Sequence, residues 1–133
     1  MTATATALLG FAGWSLLLVF SIALYRSWIG LSQKKALNSF SATGDDLPPF
    51  GMRLTRVHAN TYEFLPVAGV VMLYAIATDN TSITDPLAHV FLVARLAQSV
   101  IHLSSTSVPA VLLRFVSFAA QVLIVASWIF QMI

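Results

Sequence analysis

Residues 56–66 of this chain have the sequence RVHANTYEFLP, and they lead directly into an apolar segment that continues to Ala77. The spacing i, i+4 and i+7 places Arg56, Asn60 and Glu63 on one face of a helix. A cation, an amide and a carboxylate that enter an apolar helix are costly unless each finds a partner. We therefore expect this helix to present its polar face to other helices or to a ligand.

The composition indicates an integral membrane protein. Of its 133 residues, 58% are hydrophobic and 9% are charged, which is far from the average of a soluble domain. The net charge is only +2 and the seven Lys and Arg residues are scattered among apolar runs, so we predict no nucleic-acid partner. The absence of cysteine excludes disulfides and thiolate metal sites.

Four long apolar segments predict four transmembrane helices, because about 20 apolar residues are enough to span a bilayer. Proline and polar residues separate these segments, and Pro86 is expected in the first turn of the third helix. The predicted fold class is all-α, an integral membrane four-helix bundle that forms a single domain over residues 1–133. The four predicted helices cover about residues 7–31, 51–77, 86–103 and 109–132.

The long first loop, over about residues 32–50, contains the adjacent acidic residues Asp45 and Asp46. Such a pair can cap a turn, but we expect both carboxylates to be solvated.

The positions of the cations predict how the protein is oriented. If the four helices alternate in direction, all seven Lys and Arg residues fall on one side of the membrane. The positive-inside rule makes that side cytoplasmic and puts both termini on the opposite side. The seven cations are Arg26, Lys34, Lys35, Arg53, Arg56, Arg95 and Arg114.

The same alternation gathers polar groups from three helices at one depth. Arg95, Gln98 and His102 follow one another on the third helix at i, i+3 and i+7. Arg114 lies in an early turn of the fourth helix, with Gln121 seven residues later. We predict that Arg95, Gln98, His102 and Arg114 meet the polar face of the second helix near the cytoplasmic interface.

A purely structural interpretation of this layer remains open. Glu63 would neutralise Arg95 or Arg114, and Asn60 would complete a network that fixes the register of the helices. One carboxylate cannot neutralise three arginines, however, so the excess of cations favours a ligand that brings negative charge. Because His58, His89 and His102 have no metal-ligand spacing, we predict no metal.

The pattern RxxxNxxExxP at residues 56–66 resembles the signature of the membrane-associated proteins in eicosanoid and glutathione metabolism, the MAPEG family, in a bacterial-type form. The segment Ala94-Arg95-Leu96 also resembles the family, as does Pro109 followed by Arg114. The resemblance extends over the whole chain in its length, number of spans and loop sizes.

The resemblance implies an assembly and a ligand. Members are homotrimers of four-helix subunits, with glutathione bound between neighbouring subunits near the cytoplasmic face. The expected partners are therefore the lipid bilayer, two further copies of the chain and a lipophilic small molecule, with glutathione as the co-substrate.

The resemblance also implies roles for individual residues. Arg56 would pair with a glutathione carboxylate and Glu63 with its α-amino group, while Asn60 and Arg95 would belong to the same site. Arg114 matches the arginine that lies near the thiol and favours the thiolate in catalytic members.

Gln98 and His102 are also expected to contact glutathione, but they depart from the family pattern. Well-studied members carry tyrosine or histidine at the position of Gln98 and tyrosine at that of His102. In the prostaglandin synthase branch, a serine stands where this chain has Phe115. The substrate chemistry of those enzymes is therefore not transferred to this chain.

Two classes of function follow from this reasoning. The first is a glutathione-binding membrane protein that acts as a glutathione transferase or peroxidase on lipophilic electrophiles. The alternative is a non-enzymatic membrane protein, either an accessory subunit or a small transporter, that keeps the family fold. A transporter would need Glu63 to be accessible from both sides, whereas the other charged helix residues lie on one side.

Overall fold

The computed structural model describes residues 1–133 as four long α-helices without any β-strand. All four helices are long and apolar enough to cross a membrane. The predicted fold class, an all-α four-helix membrane protein, is therefore confirmed. The helices are α1 (Ala3–Ser32), α2 (Pro49–Ala77), α3 (Thr81–Ser104) and α4 (Val108–Met132), and a short 3-10 helix covers Leu37–Ser39 in the first loop.

Hydrogen bonds at two levels show that α1 and α3 run in the same direction. Near the start of both helices, the backbone N–H and the hydroxyl of Thr4 donate to Oδ1 of Asp85, at 2.8 and 2.6 Å. Further along, the indole N–H of Trp14 donates to the hydroxyl of Ser99 at 3.0 Å. Since residue numbers rise together in the two helices, α1 and α3 are parallel.

Contacts between α2 and α3 run in the opposite sense. The Nε–H of Arg53 donates to the carbonyl of Leu103 at 2.8 Å, whereas Asn60 contacts Arg95. Residue numbers fall in α3 as they rise in α2, so these helices are antiparallel. The chain therefore passes up and down in turn, with α1 and α4 on separate sides of α3 and no direct packing between them.

Apolar packing is concentrated in the half of the bundle that holds the chain termini. Phe91 is its centre, because its ring lies 5.6 Å from that of Phe11, 6.2 Å from that of Phe64 and 5.7 Å from that of Trp128. The opposite half, next to the first loop, contains the polar side chains. The buried members of the main apolar core are Ala7, Phe11, Ala68, Val71, Met72, Ala88, Phe91, Ile124, Val125 and Trp128.

The third helix begins five residues earlier than expected, at Thr81, so that Pro86 lies inside it. The reason is a compact end to α2, where Asp79 adopts a left-handed φ of 57°. The N–H of Asn80 then donates to Ala75 at 2.8 Å and that of Asp79 to Ile76 at 3.4 Å, which is the Schellman pattern. The connection between α2 and α3 is therefore limited to residues 78–80.

The first helix also starts earlier than expected, at Ala3 rather than near residue 7. Thr2 caps it, since its hydroxyl accepts the N–H of Ala5 at 3.1 Å. A threonine at this position satisfies one of the free N–H groups of the first turn. The polar residues before the apolar run are therefore helical.

The first loop is held in place by Asp46, whose carboxylate is exposed, as expected, and also caps a turn. Its Oδ2 accepts from Nζ of Lys35 at 2.6 Å and from the N–H of Ser41 at 3.0 Å. These hydrogen bonds, first that of Lys35, hold the pKa of the Asp46 carboxyl below its usual value. Arg26 at the end of α1 donates to the carbonyl of Ser41 at 2.9 Å, so the loop is tied to the bundle.

Gly44 brings this loop against α2 and is expected to tolerate no side chain. Its φ is +74°, and a Cβ there would lie 2.7 Å from Oγ1 and 2.9 Å from Cβ of Thr55, which is buried. We predict that Gly44→Ala lowers the free energy of unfolding by about 1–3 kcal/mol, because it combines backbone strain with a clash. Thermal unfolding in detergent, followed by circular dichroism, measures the change.

The matched control is Gly13→Ala on α1, where no atom lies within 4 Å of the added methyl group. This variant should unfold near the wild-type temperature. Equal melting temperatures for the two variants would show that the loop is not packed on α2 in this way.

Candidate functional site

A chain of amides, buried at Gln121 and Gln98 and exposed at Asn60, links three helices in the polar half of the bundle. Nε2 of Gln121 on α4 donates to Oε1 of Gln98 on α3 at 2.9 Å. Nε2 of Gln98 in turn donates to Oδ1 of Asn60 on α2 at 3.2 Å. The three side chains therefore form one hydrogen-bonded series that ends at Asn60.

Arg95 on α3 joins this series from the inside of the bundle. It is only 1% exposed, and its Nη1 donates to Oδ1 of Asn60 at 2.9 Å. The guanidinium carbon lies 5.2 Å from the ring centre of Phe11 and 5.1 Å from that of Phe64, which is close enough for cation–π attraction. Its Nε and Nη2 have no hydrogen-bond partner within the chain.

No carboxylate neutralises this buried cation. The single ion pair of the chain joins Lys35 to Asp46 in the first loop. Glu63, which the structural interpretation paired with Arg95 or Arg114, is exposed and takes part in no ion pair. Within one chain, that interpretation is therefore wrong, and the positive charge of the polar half stays uncompensated.

A cavity of about 320 Å³ opens beside the amide chain, and we call it the first cavity. Its polar wall contains four of the predicted site residues, and its remaining wall is apolar. Phe115 on the apolar side is 67% exposed, so the cavity is open at the outer surface of the chain. The first cavity is lined by Asn60, Gln98, His102, Val111, Arg114, Phe115 and Phe118.

Two residues at the wall of the first cavity have hydrogen-bond donors without a partner in the chain. Oδ1 of Asn60 already accepts from both Arg95 and Gln98, whereas the Asn60 amide nitrogen makes no hydrogen bond within the chain. Nε of Arg114 is buried and likewise has no partner within the chain. An amide N–H₂ and a guanidinium that are free to donate favour a ligand with acceptor oxygens or an anionic sulfur.

The positive field in this region comes from more than one residue. Arg114 lines the first cavity together with His102, and Arg53 donates to the carbonyl of Leu103, the residue after His102. Neither arginine forms an ion pair. The cavity is thus suited to an anion by its field as well as by its donors.

Arg56 lines a different space, the second cavity, of about 530 Å³, between the first loop and α2. Arg56 and Asn60 are one helical turn apart, so the two cavities flank the same face of α2. Glu63 lines neither cavity. The second cavity is lined by Ala42, Thr43, Asp45, Thr55, Arg56, Ala59 and Tyr62.

The structure therefore brings together most of the predicted residues, but not all of them. Arg95 stands behind the first cavity and positions Asn60, whereas Arg56 and Glu63 lie outside it. Gln121 was not expected in the site, although its spacing of seven residues from Arg114 places it on nearly the same helix face. No group of three or more His, Asp or Glu side chains is placed to hold a metal ion.

Four membrane-length helices, with a partly polar cavity beside Asn60 and Arg114 in one half, define a multi-pass membrane protein. Comparison with known families makes the class specific, because the profile of the MAPEG family matches residues 4–133. The chain belongs to the MAPEG family, as the residue motif indicated. No curated protein and no solved structure matches it.

The pairing of Asn60 with Arg95 yields a test of the site's architecture. We predict that Asn60→Leu destabilises the protein by about 1.5–3 kcal/mol, because the buried guanidinium loses its only hydrogen bond within the chain. The double variant Asn60→Leu/Arg95→Met should recover part of that loss, since no charge is then buried. Unfolding in detergent at increasing denaturant measures both changes.

Asn38→Leu is the control, because Asn38 is an exposed amide in the first loop. It should leave stability within experimental error. The outcome that contradicts the assignment is additivity. If Arg95→Met lowers the free energy of unfolding by the same amount in wild type and in Asn60→Leu, the two residues are not coupled.

Proposed function

We propose that the protein binds glutathione in the first cavity and presents its thiolate to a lipophilic electrophile that arrives from the bilayer. The observation that carries the proposal is the concentration of unpaired donors around this cavity, from the Asn60 amide and the Arg114 guanidinium. Membership of a family associated with glutathione and eicosanoid metabolism supports the choice of ligand.

The apolar wall of the first cavity supplies a place for the second substrate. Val111 and Phe115 are exposed on the outer surface of α4, where an apolar molecule dissolved in the lipid can reach them. The polar wall, with Asn60 and Arg114, lies across the cavity. A thiol held by the polar wall thus faces an apolar compound on the other side.

In the proposed reaction, Arg114 stabilises the thiolate that remains once the thiol proton has passed to solvent. The thiolate sulfur then forms a bond to the electrophilic carbon, and the leaving group departs with its electron pair. With a lipid hydroperoxide, the sulfur instead takes the distal oxygen, leaving the alcohol. A second glutathione would then form the disulfide and release water.

We further propose that three copies assemble and that the site lies near the cytoplasmic face. The first cavity is open at the outer surface of a single chain, so a neighbouring copy can cover part of it while Val111 and Phe115 stay accessible from the lipid. All seven cations lie in the half of the molecule next to the first and third loops, which favours a cytoplasmic position for that half.

Native mass spectrometry of the protein in detergent, with and without glutathione, tests ligand and assembly together. We expect a trimer that takes up as many as three glutathione molecules. His89→Ala on the opposite half of the bundle is the control and should bind equally. A trimer without glutathione would reject the ligand, whereas a stable monomer or an antiparallel dimer would reject the assembly.

Arg114 is the residue on which the chemistry should depend. We predict that Arg114→Ala lowers turnover by about ten- to a thousandfold, since one well-placed donor contributes that much to an anionic reaction centre. The ultraviolet absorbance of the bound thiolate should fall in parallel, and Arg114→Lys should restore part of it because the charge is kept.

Lys34→Ala removes a charge from the same end of the molecule at an exposed position and should change neither quantity. Equal thiolate absorbance in wild type and Arg114→Ala, with glutathione bound to both, would make Arg114 a structural residue. The protein would then be a binding protein rather than an enzyme of this mechanism.

A further inference from the structure

The amide series from Gln121 through Gln98 to Asn60 has a direction, because each amide has a donating end and an accepting end. The N–H₂ group can only donate and the oxygen can only accept, and a rotation by 180° exchanges the two. In a hydrogen-bonded series, the orientation of one amide therefore dictates that of the next. A group that can only accept or only donate, placed at either end, decides the direction of the whole series.

The backbone of α4 fixes one end of the amide series. Nε2 of Gln121 donates to the carbonyl of Ser117, one helical turn earlier, at 2.8 Å. Because a carbonyl oxygen can only accept, the nitrogen of the Gln121 amide has to face it. The same nitrogen gives its second hydrogen to Oε1 of Gln98 at 2.9 Å. Gln98 is thereby held with its oxygen toward α4 and its nitrogen toward α2.

Arg95 fixes the other end of the series. A guanidinium has donors and no acceptor, so Nη1 of Arg95 can bind only the oxygen of the Asn60 amide, at 2.9 Å. Nε2 of Gln98 reaches the same oxygen at 3.2 Å. Both ends thus require the same direction. None of the three amides can turn over without bringing two donors or two acceptors together.

The unpaired oxygen of Gln121 shows that this residue is placed for its nitrogen. Gln121 is 0% exposed, and its Oε1 has no hydrogen-bond partner within the chain. A buried acceptor without a donor is unfavourable. Turning the amide over would not help, because the oxygen would then face the oxygens of Ser117 and Gln98. The favourable interactions of this side chain are therefore the two that orient Gln98.

We propose that Gln121 is a positioning residue of the first cavity. Through Gln98 it holds Asn60 with its oxygen toward Arg95 and its N–H₂ group available to the ligand. The inference rests on the proposed function, because it takes glutathione as the ligand of this cavity. It adds a residue that does not line the cavity and acts only through its hydrogen bond to Gln98.

This role determines which ligand groups the wall of the first cavity accepts. Both lone pairs of the Asn60 oxygen are occupied by Arg95 and Gln98, so a ligand meets N–H groups and no acceptor from this side chain. Asn60 therefore favours a carbonyl, carboxylate or thiolate over an ammonium or a hydroxyl donor. Glutathione supplies such acceptors in its peptide carbonyls, its carboxylates and its thiolate.

Titration calorimetry with glutathione in detergent tests whether Gln121 acts through Asn60. Gln121→Met keeps the length of the side chain and should weaken binding about three- to tenfold, as expected for one neutral hydrogen bond. In an Asn60→Ala background, the same substitution should change the affinity by less than about twofold, because the group that Gln121 positions is absent. A general loss of packing would instead weaken binding equally in both backgrounds.

The matched control is Gln131→Met on the same helix. Gln131 donates to the carbonyl of Ser127 at 3.2 Å, one turn earlier, as Gln121 does to that of Ser117, but it is exposed near the C-terminus. This variant should bind glutathione as wild type does. Gln98→Met interrupts the series in the middle and should weaken binding as much as Gln121→Met, and the two together should add no further loss.

A measurement without ligand tests the positioning itself. The chain has three asparagines, Asn38, Asn60 and Asn80, so selective ¹⁵N labelling gives three side-chain amides to follow by nuclear magnetic resonance. The order parameter of the Asn60 amide should be high in wild type and lower in Gln121→Met and in Gln98→Met. The signals of the other two asparagines should not change, which also shows that the variants are folded.

Two results would overturn the inference alone. One is an Asn60 amide that is equally ordered in wild type and in both glutamine variants, and the other is an equal loss of affinity in the two backgrounds. Wild-type protein that binds no glutathione would overturn the proposed function instead. The role of Gln121 in holding Asn60 would still be decided by the labelled amide, since that measurement needs no ligand.

Discussion

The contact between the Arg95 guanidinium and the side-chain oxygen of Asn60 determines how the polar half of this bundle is built. A cation that is almost fully buried without a carboxylate needs acceptors and aromatic faces, and Asn60, Phe11 and Phe64 provide them from two other helices. Because Asn60 accepts from Arg95 and Gln98 with one oxygen, its amide nitrogen remains free for a ligand. A buried structural interaction thus fixes the orientation of a group at the cavity wall.

The two halves of the bundle differ in the kind of side chain that they bury. Large apolar side chains fill the half with the termini around Phe91, where the packing needs no polar partner. The half next to the first loop buries polar groups instead. These groups hold the helices in one register, because each has few other hydrogen-bond partners in apolar surroundings. The first cavity, with the donors of Asn60 and Arg114 on its wall, lies in this second half.

Sequence reasoning predicted the number of helices, the fold class and the meeting of Asn60, Gln98, His102 and Arg114, because spacing along a helix decides which side chains share a face. It missed the early start of α3, since a left-handed Asp79 is rare and nothing local distinguishes it from an ordinary turn residue. It also placed Glu63 in the polar layer, and in a single chain that side chain is exposed and lines neither cavity. Contacts made by the first loop depend on tertiary packing and have no periodic pattern to reveal them.

The two hydrogen-bonded levels between α1 and α3 have a consequence for motion. Thr4 is attached to Asp85 and Trp14 to Ser99, and Phe11, which covers Arg95, lies between these two points. With both attachments made, sliding or rotation of α1 against α3 would break hydrogen bonds at one level or at both. The hydrogen bond between Thr4 and Asp85 at the start of α1 therefore helps to hold Phe11 against the buried guanidinium of Arg95.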